Sequence, residues 1–268
     1  MDHPAHSTLE GRPKAIVVGA SSGIGHAIAR ELSARGYFLG LTARRETLLH
    51  DLQKTLPEES VAHFMDVANP SEAIPILHNL IQEMGGMDLI VINSGINVGE
   101  FNATWEQEYE TIKVNVEGFT ALANTAIRYF KEKNAGHLVG ISSIAGVRGN
   151  GRAPAYSASK AFVSNYLQGV SQRLCTTTIH VTDVRPGFVD TAMIRGKHGL
   201  FWVATCERAA KQIADAIEKK KPVVYITKRW GLIALLLRMI PRWLYHRGFV
   251  RHMKQDQKFH SADKSSSK

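Results

Sequence analysis

Seven short β-rich runs, several of them nearly all apolar, recur through the first 225 residues, each separated from the next by a stretch with helical periodicity. The runs are Ala15 to Val18, Phe38 to Thr42, Val61 to Met65, Leu89 to Ile92, His137 to Ile141, Ile179 to Val184 and Val223 to Ile226. A strand that is apolar at nearly every position, rather than every second one, must be covered on both faces. Right-handed βαβ crossovers meet that demand by placing all strands parallel in one sheet with helices on both sides. The helical stretches fall near Ile24 to Arg35, Arg45 to Lys54, Ser71 to Met84, Trp105 to Lys131, Tyr156 to Cys175 and Glu207 to Lys219. The expected fold class is α/β, with a single doubly wound parallel sheet of about seven strands. The expected organisation is an N-terminal tail over 1–12, the sheet domain over 13–228, a basic amphipathic helical extension over 229–254 and a disordered polar tail over 255–268.

With 268 residues, 44% hydrophobic and 21% charged, the chain can bury one large core. Its two cysteines, Cys175 and Cys206, have no spacing suited to a disulfide framework or a metal site, so no metal is expected and a reducing compartment fits. The first residues are polar and lack the apolar segment of a signal peptide, which adds a cytoplasmic location to the expectation. Net charge is +9, but from Lys219 onward 13 Lys or Arg face only Asp256 and Asp263. All the basic excess therefore sits in the last fifth of the chain. A nucleic-acid binder spreads its basic stripe over the fold that docks the ligand, so nucleic acid is not the expected partner. Arg residues interleaved with Trp and Leu point instead to an anionic membrane surface or a docking tail.

The first run leads into Gly19-Ala20-Ser21-Ser22-Gly23-Ile24-Gly25 and then into an Ala-rich helix. Glycines at a strand-to-helix turn bring the backbone close to a pyrophosphate, whose charge the helix N-terminus stabilises. An ordinary turn also uses glycines, and that alternative stays open at this point. In a Rossmann-type sheet the end of the second strand approaches the adenosine ribose, where a carboxylate favours the 2′-hydroxyl of NAD. Here the sequence reads Thr42-Ala43-Arg44-Arg45, with no carboxylate and two guanidiniums that suit a 2′-phosphate. NADP(H) is thus expected ahead of NAD(H), the alternative being that Arg44 and Arg45 merely open the next helix in solvent.

Ser142-Ser143 closes the fifth run, and Tyr156-Ser157-Ala158-Ser159-Lys160 opens the helix that follows. Tyr156 and Lys160, four residues apart, share one helix face. A nearby cation favours the phenolate, bringing a group with a pKa of about 10 toward the range useful for proton transfer. Lys160 can do this while holding a nicotinamide ribose, and a hydroxyl from Ser143 can stabilise charge developing on a substrate oxygen. Taken alone, the pair also fits an exposed helix surface.

Four further features accompany the glycine turn: Asn93-Ser94-Gly95 after the fourth run, Asn115, Ser143 thirteen residues before Tyr156, and Pro186-Gly187 with Thr191 after the sixth run. Together they resemble the short-chain dehydrogenase/reductase family over about 225 residues. The resemblance implies that Tyr156 is the general acid in reduction or base in oxidation, that Lys160 lowers its pKa, and that Ser143 orients the carbonyl or alcohol. It implies a relay water at Asn115, an adenine contact at Asp66 beside Val67, and a steadying role for Asn93 next to Gly95. Val189 and Thr191, after Pro186 and Gly187, would meet the nicotinamide end. Family members are often dimers or tetramers, so a homodimer or homotetramer is expected. Ser94 departs from the family's usual Ala, and Ser22 stands where many NADP-using relatives carry a basic residue, leaving Arg44 as the main support for NADP(H).

Substrate walls are expected from Ile96 to Phe101, Ile144 to Asn150 and a lid from Phe188 to Val203. Ile144, Asn150, Phe188 and Met193 join Ser143 and Tyr156 as candidate substrate contacts. Met193, Ile194, Phe201 and Trp202 make the lid apolar, which favours a hydrophobic ketone, aldehyde or secondary alcohol over a sugar, although packing would use the same residues. Arg148, Arg195 and Lys197 either meet an anionic substrate group or face water. Only eight residues separate Arg229 from Arg238, too few to cross a bilayer, so Trp230 to Tyr245 is expected to lie in a membrane interface or to pack on a subunit. The leading function is an NADP(H)-dependent oxidoreductase; the alternative is a membrane-associated nucleotide-binding sensor or scaffold.

Overall fold

The computed structural model describes residues 11–99, 101–194 and 199–248. Most of the N-terminal tail, Arg195, Lys197 and the polar C-terminal tail lie outside the described residues.

The seven apolar runs become β1 (Lys14–Val18), β2 (Phe38–Ala43), β3 (Ser60–Phe64), β4 (Leu89–Ile92), β5 (Gly136–Ile141), β6 (Ile179–Pro186) and β7 (Val223–Ile226). They form one sheet in the order β3-β2-β1-β4-β5-β6-β7, and every neighbouring pair is parallel. The reason for the nearly all-apolar runs is visible in β1. Ile16 and Val18 point into a core shared with α3 (Pro70–Glu83), α5 (Phe119–Lys133) and α6 (Pro154–Arg173), through Leu77, Phe130 and Leu167. Ala15 and Val17 point the other way, into a core built with α1 (Gly23–Ala34), α2 (Glu46–Thr55) and α7 (Cys206–Glu218), through Ile28, Leu49 and Ile213. Strands with no wet face have no position for an alternating polar residue.

Strand β1 pairs with β2 on one side and with β4 on the other, so the chain winds outward in both directions from this point. The loops leaving β1 and β4 diverge, opening a crevice at the carboxyl ends of the central strands.

The helix expected from Trp105 to Lys131 is three pieces: α4 (Trp105–Ile112), a π-helical turn (Lys113–Gly118) and α5. Such single wide turns are frequent at functional sites, and this one contains Asn115. The extension is not one helix either. It consists of α8 (Arg229–Met239), a break at Pro241 and a further helical stretch over 242–248. Proline has no N–H for the helical ladder and its ring clashes with the preceding turn. Among the described residues no helix is long and apolar enough to cross a membrane.

Candidate active site

The chain leaves β1 through Gly19, Ala20, Ser21 and Ser22 and enters α1 at Gly23. The N–H groups of Gly19 and Ala20 both donate to the Thr42 carbonyl, at 2.7 and 3.1 Å, which ties the turn to the end of β2. Asn93, beyond β4, donates from Nδ2 to the Gly19 carbonyl at 2.9 Å. Any Cβ on Gly25 would run into that carbonyl and into the Asn93 amide, so the third glycine is required by close packing. The start of α1 has neither a side-chain cap nor an acidic residue in its first turn. Its N–H groups and dipole are left for an outside anion. Thr191, from the loop after β6, lies against Gly23 and closes the turn from above.

Arg45 is part of this turn. Its Nη2 donates to Ser21 Oγ at 2.9 Å and to Ser22 Oγ at 2.6 Å, placing a guanidinium and two hydroxyls at the end of β2. Arg44 beside it is exposed. Asp66 accepts from the N–H of Ala68 at 3.0 Å through one carboxylate oxygen, and Val67 is buried. This donor set fits a 2′-phosphorylated dinucleotide: a capless helix start for the pyrophosphate, cations and hydroxyls for the extra phosphate, and no carboxylate at the end of β2.

The reacting groups gather at the carboxyl end of β5. Ser143 follows the strand, and its Oγ accepts from the Ala145 N–H at 3.0 Å as a short 3₁₀ turn (Ile144–Val147) begins. Helix α6, opened by Pro154, carries Tyr156 in its first turn and Lys160 one turn later. Tyr156 hydrogen-bonds Ser143; burial raises the phenol pKa, and that hydrogen bond opposes the rise. Lys160 is buried, donates to the Ile141 carbonyl at 2.9 Å and holds its Nζ 5.9 Å from the Tyr156 ring centroid. Asn115 donates from Nδ2 to the Ile96 carbonyl and to Ser159 Oγ, both at 2.9 Å, and accepts from the Ile96 N–H at 2.8 Å. The π turn thus aims Asn115 inward, where it clamps the loop containing Gly95 against α6.

Burial lowers the Lys160 pKa from 10.5 to about 8, with Asp183 opposing the shift. Below pH 8 both folded and unfolded chains carry the proton, and the folded chain bears the cost of a buried ammonium. Between about 8 and 10.5 the unfolded chain keeps its proton while the folded chain loses it, so stability rises with pH across this window. In urea unfolding of the cofactor-free protein, stability relative to Lys160→Met should climb by up to about 3 kcal/mol between about pH 7 and 10.5. A flat difference would mean that the ammonium is solvated.

The sequence profile of the short chain dehydrogenase family matches residues 13–198. The chain belongs to that family. An uncharacterized oxidoreductase of Myxococcus xanthus is 37% identical over 188 residues, covering 67% of this chain and 73% of its own. One from Mycobacterium tuberculosis is 32% identical over 218 residues, or 78% of this chain and 86% of the relative. Among solved structures, the closed form of serine dehydrogenase complexed with NADP+ gives a TM-score of 0.70 at 26% identity, covering 76% of this chain and 88% of that one. A short-chain dehydrogenase from Sphingobium yanoikuyae in complex with NADPH gives 0.72 at 24% identity, over 86% and 97% of the two chains, and shares the fold.

In this short-chain dehydrogenase, Tyr156 and Lys160 share one helix face as their spacing predicts, and Ser143 and Asn115 gather with them as the resemblance implies. Others lie differently. Val189 is buried in the core with Val184 and Ile213, and its N–H and C=O are not used by the bridge to Ala204. Only its backbone can meet a cofactor. Asn150 lines a cavity of about 320 Å³ with Ser157, Ala158 and Ala161, on a different face of α6 from Tyr156. Arg148 is engaged by the C-terminal extension: it donates to the carbonyls of Leu237, at 2.8 Å, and Ile240, with its guanidinium 4.3 Å from the Tyr245 ring centroid. Pro186 ends β6 and Gly187 follows it, Ile144 and Phe188 are half-buried, and Met193 is exposed. Sequence reasoning misses Asp183, which accepts from Ser142 Oγ and from Arg185 Nε, the latter at 2.7 Å. A carboxylate inside a run that pairs as a buried strand, Ile179 to Val184, is its signal.

Proposed function

We propose that the protein is an NADP(H)-dependent oxidoreductase interconverting an apolar ketone or aldehyde and its alcohol. The observation that carries this reading is the convergence of Ser143, Tyr156 and Lys160 at one strand end beside the glycine turn. When bound, the nicotinamide supplies a hydride in reduction or accepts one in oxidation. The glycine turn, Arg44, Arg45, Asp66, Asn93 and Thr191 would hold the cofactor, with Tyr156 and Lys160 at its ribose. Ser143 donates a hydrogen bond to the substrate oxygen, and Tyr156 delivers a proton to that oxygen as the carbonyl becomes an alcohol. The raised phenol pKa keeps this proton in place at neutral pH, which suits reduction. The nearby Lys160 ammonium then favours the phenolate left behind. Both amide hydrogens of Asn115 are committed, so a relay water at this position would rest on its backbone carbonyl.

The test is NADPH consumption over a panel of medium-chain ketones and aldehydes against sugars. Turnover confined to the apolar compounds is expected; turnover of sugars alone overturns the substrate class. Arg45→Ala should weaken NADPH by roughly 10–100-fold, as loss of a charge-assisted phosphate contact requires, and NADH by less than about threefold. Arg44→Ala should act in the same direction. Equal losses for the two cofactors, measured by isothermal titration calorimetry, would remove both arginines from the 2′-phosphate site.

The reading includes a cytoplasmic location, supported by the sparse cysteines, and a homodimer or homotetramer. Trp105 and Tyr109 stack at 5.3 Å on α4, where they and Ile112 are exposed, as is Phe162 on α6. Such an apolar surface suits a second copy.

A further inference from the structure

Helix α8 is apolar on both sides, and only one side is covered. Its inner face carries Trp230 and Ala234, which are buried, and Ile233 and Leu237, half-buried. Trp230 packs edge-on to Phe188 at 5.2 Å and parallel to Phe201 at 5.3 Å. The carbonyls at the far end of α8 receive Arg148, five residues beyond Ser143, and Tyr245 donates to the Gly149 carbonyl at 2.9 Å. The helix is thereby fastened to the segments after β5 and β6 that are the candidate substrate walls. Its outer face presents Leu232, Leu235, Leu236 and Met239, at 69%, 56%, 56% and 72% exposure. These positions follow the i, i+3, i+4, i+7 pattern of a single stripe. Trp243 and Leu244 continue the exposed apolar surface beyond Pro241, and Phe201 and Trp202 begin it at the other end, where Arg229 lies 5.6 Å from the Trp202 ring centroid.

The charge around this stripe selects its occupant. Exposed Lys228, Arg229, Arg238, Arg242 and Arg247 border it, and no Asp or Glu occurs between Lys219 and Gln255. A twofold pairing of two such faces would set these cations against their own copies. An anionic bilayer offers the opposite charge at headgroup depth and hydrocarbon just below it, with Trp243 and Trp202 at the boundary. We propose that the outer face of α8 docks on an anionic lipid surface, setting the substrate mouth against the membrane so that the substrate is a lipophilic carbonyl or alcohol drawn from the bilayer. The substrate half of this statement rests on the oxidoreductase reading; the docking half does not.

Full-length protein is floated with vesicles of phosphatidylcholine alone or with about 30% phosphatidylglycerol, at low and high salt. We expect recovery with the anionic vesicles, weakened by salt, and at least a roughly 100-fold loss of partitioning in a Leu232→Gln, Leu236→Gln, Met239→Gln variant. All three side chains point outward, so NADPH binding and turnover of a short, water-soluble ketone should be unchanged. Turnover of a long-chain ketone dissolved in the vesicles should fall at least about tenfold in the variant. A wild type that ignores anionic vesicles at low salt, or a triple variant that floats as well as the wild type, overturns docking and leaves the redox reading standing. Flotation by a protein that turns over neither ketone overturns the substrate half alone. A triple variant that drops to a smaller oligomer in light scattering assigns the face to a second copy and overturns the proposal.

Discussion

Replacing Tyr156 by Phe should lower kcat/KM for carbonyl reduction by roughly 10²–10⁴-fold, the range expected when a positioned general acid is removed. The change deletes one oxygen and keeps the ring, so the first turn of α6 and the Lys160 bond to the Ile141 carbonyl can persist. Folding stability should fall by only about 1 kcal/mol, because the lost interaction is a single hydrogen bond to Ser143. NADPH affinity should stay within about threefold of wild type, since one hydrogen bond among many cofactor contacts changes. The three readouts together separate a chemical role from a structural one: the rate collapses while binding and stability hardly move. Near-wild-type turnover in Tyr156→Phe would show that the proton comes from elsewhere, and the reading built on the Ser143–Tyr156–Lys160 convergence would fall with it.

The parts of this fold that rest on local pattern are legible in the amino-acid sequence itself. A run such as Leu89 to Ile92 is apolar at every position and has no wet face, and a sheet covered on both sides is what such a strand requires. The Tyr156–Lys160 spacing needs only a helix to bring the two together, and α6 supplies it. What escapes a reading of the sequence is set by pairs distant along the chain or by single-residue irregularities. One extra residue in the turn at Asn115 barely disturbs a 3.6-residue pattern spread over the long stretch from Trp105 to Lys131, yet it decides where that side chain points. Arg45 reads as a candidate phosphate contact or a solvated helix opener, and its hydrogen bonds to Ser21 and Ser22 appear only when the end of β2 and the glycine turn, 24 residues apart for Ser21, come together. Arg148 finds carbonyls 89 and 92 residues further on, so nothing near it in sequence reveals its partner. The extension reads as amphipathic because arginines and aromatic residues flank its apolar segment; its buried face shows that apolar residues occupy both sides.

Trp230→Ala should be among the most destabilising single changes outside the central sheet, at about 3–5 kcal/mol for a fully packed large aromatic. Trp230 is only 4% exposed, and its ring lies where any side chain on Gly187 would have to go. The residue after Pro186 is therefore glycine for packing as well as for its place beside the crevice. Truncation leaves a void bounded by Gly187, Phe188 and Phe201, and releases α8 from the loop that follows β6. For a domain of this size the melting temperature should drop by roughly 6–20 °C. Trp230→Phe, which keeps a ring against Phe188, should recover more than half of the loss. Because Phe188 is a candidate substrate wall, kcat/KM for an apolar ketone should also fall by roughly tenfold or more in the alanine variant, through misplacement and not through lost chemistry. The pH profile should keep its wild-type shape, since Tyr156 and Lys160 are untouched. A Trp230→Ala protein that melts where the wild type does would mean the neighbouring rings close over the gap unaided, and α8 would then have no part in holding the substrate wall.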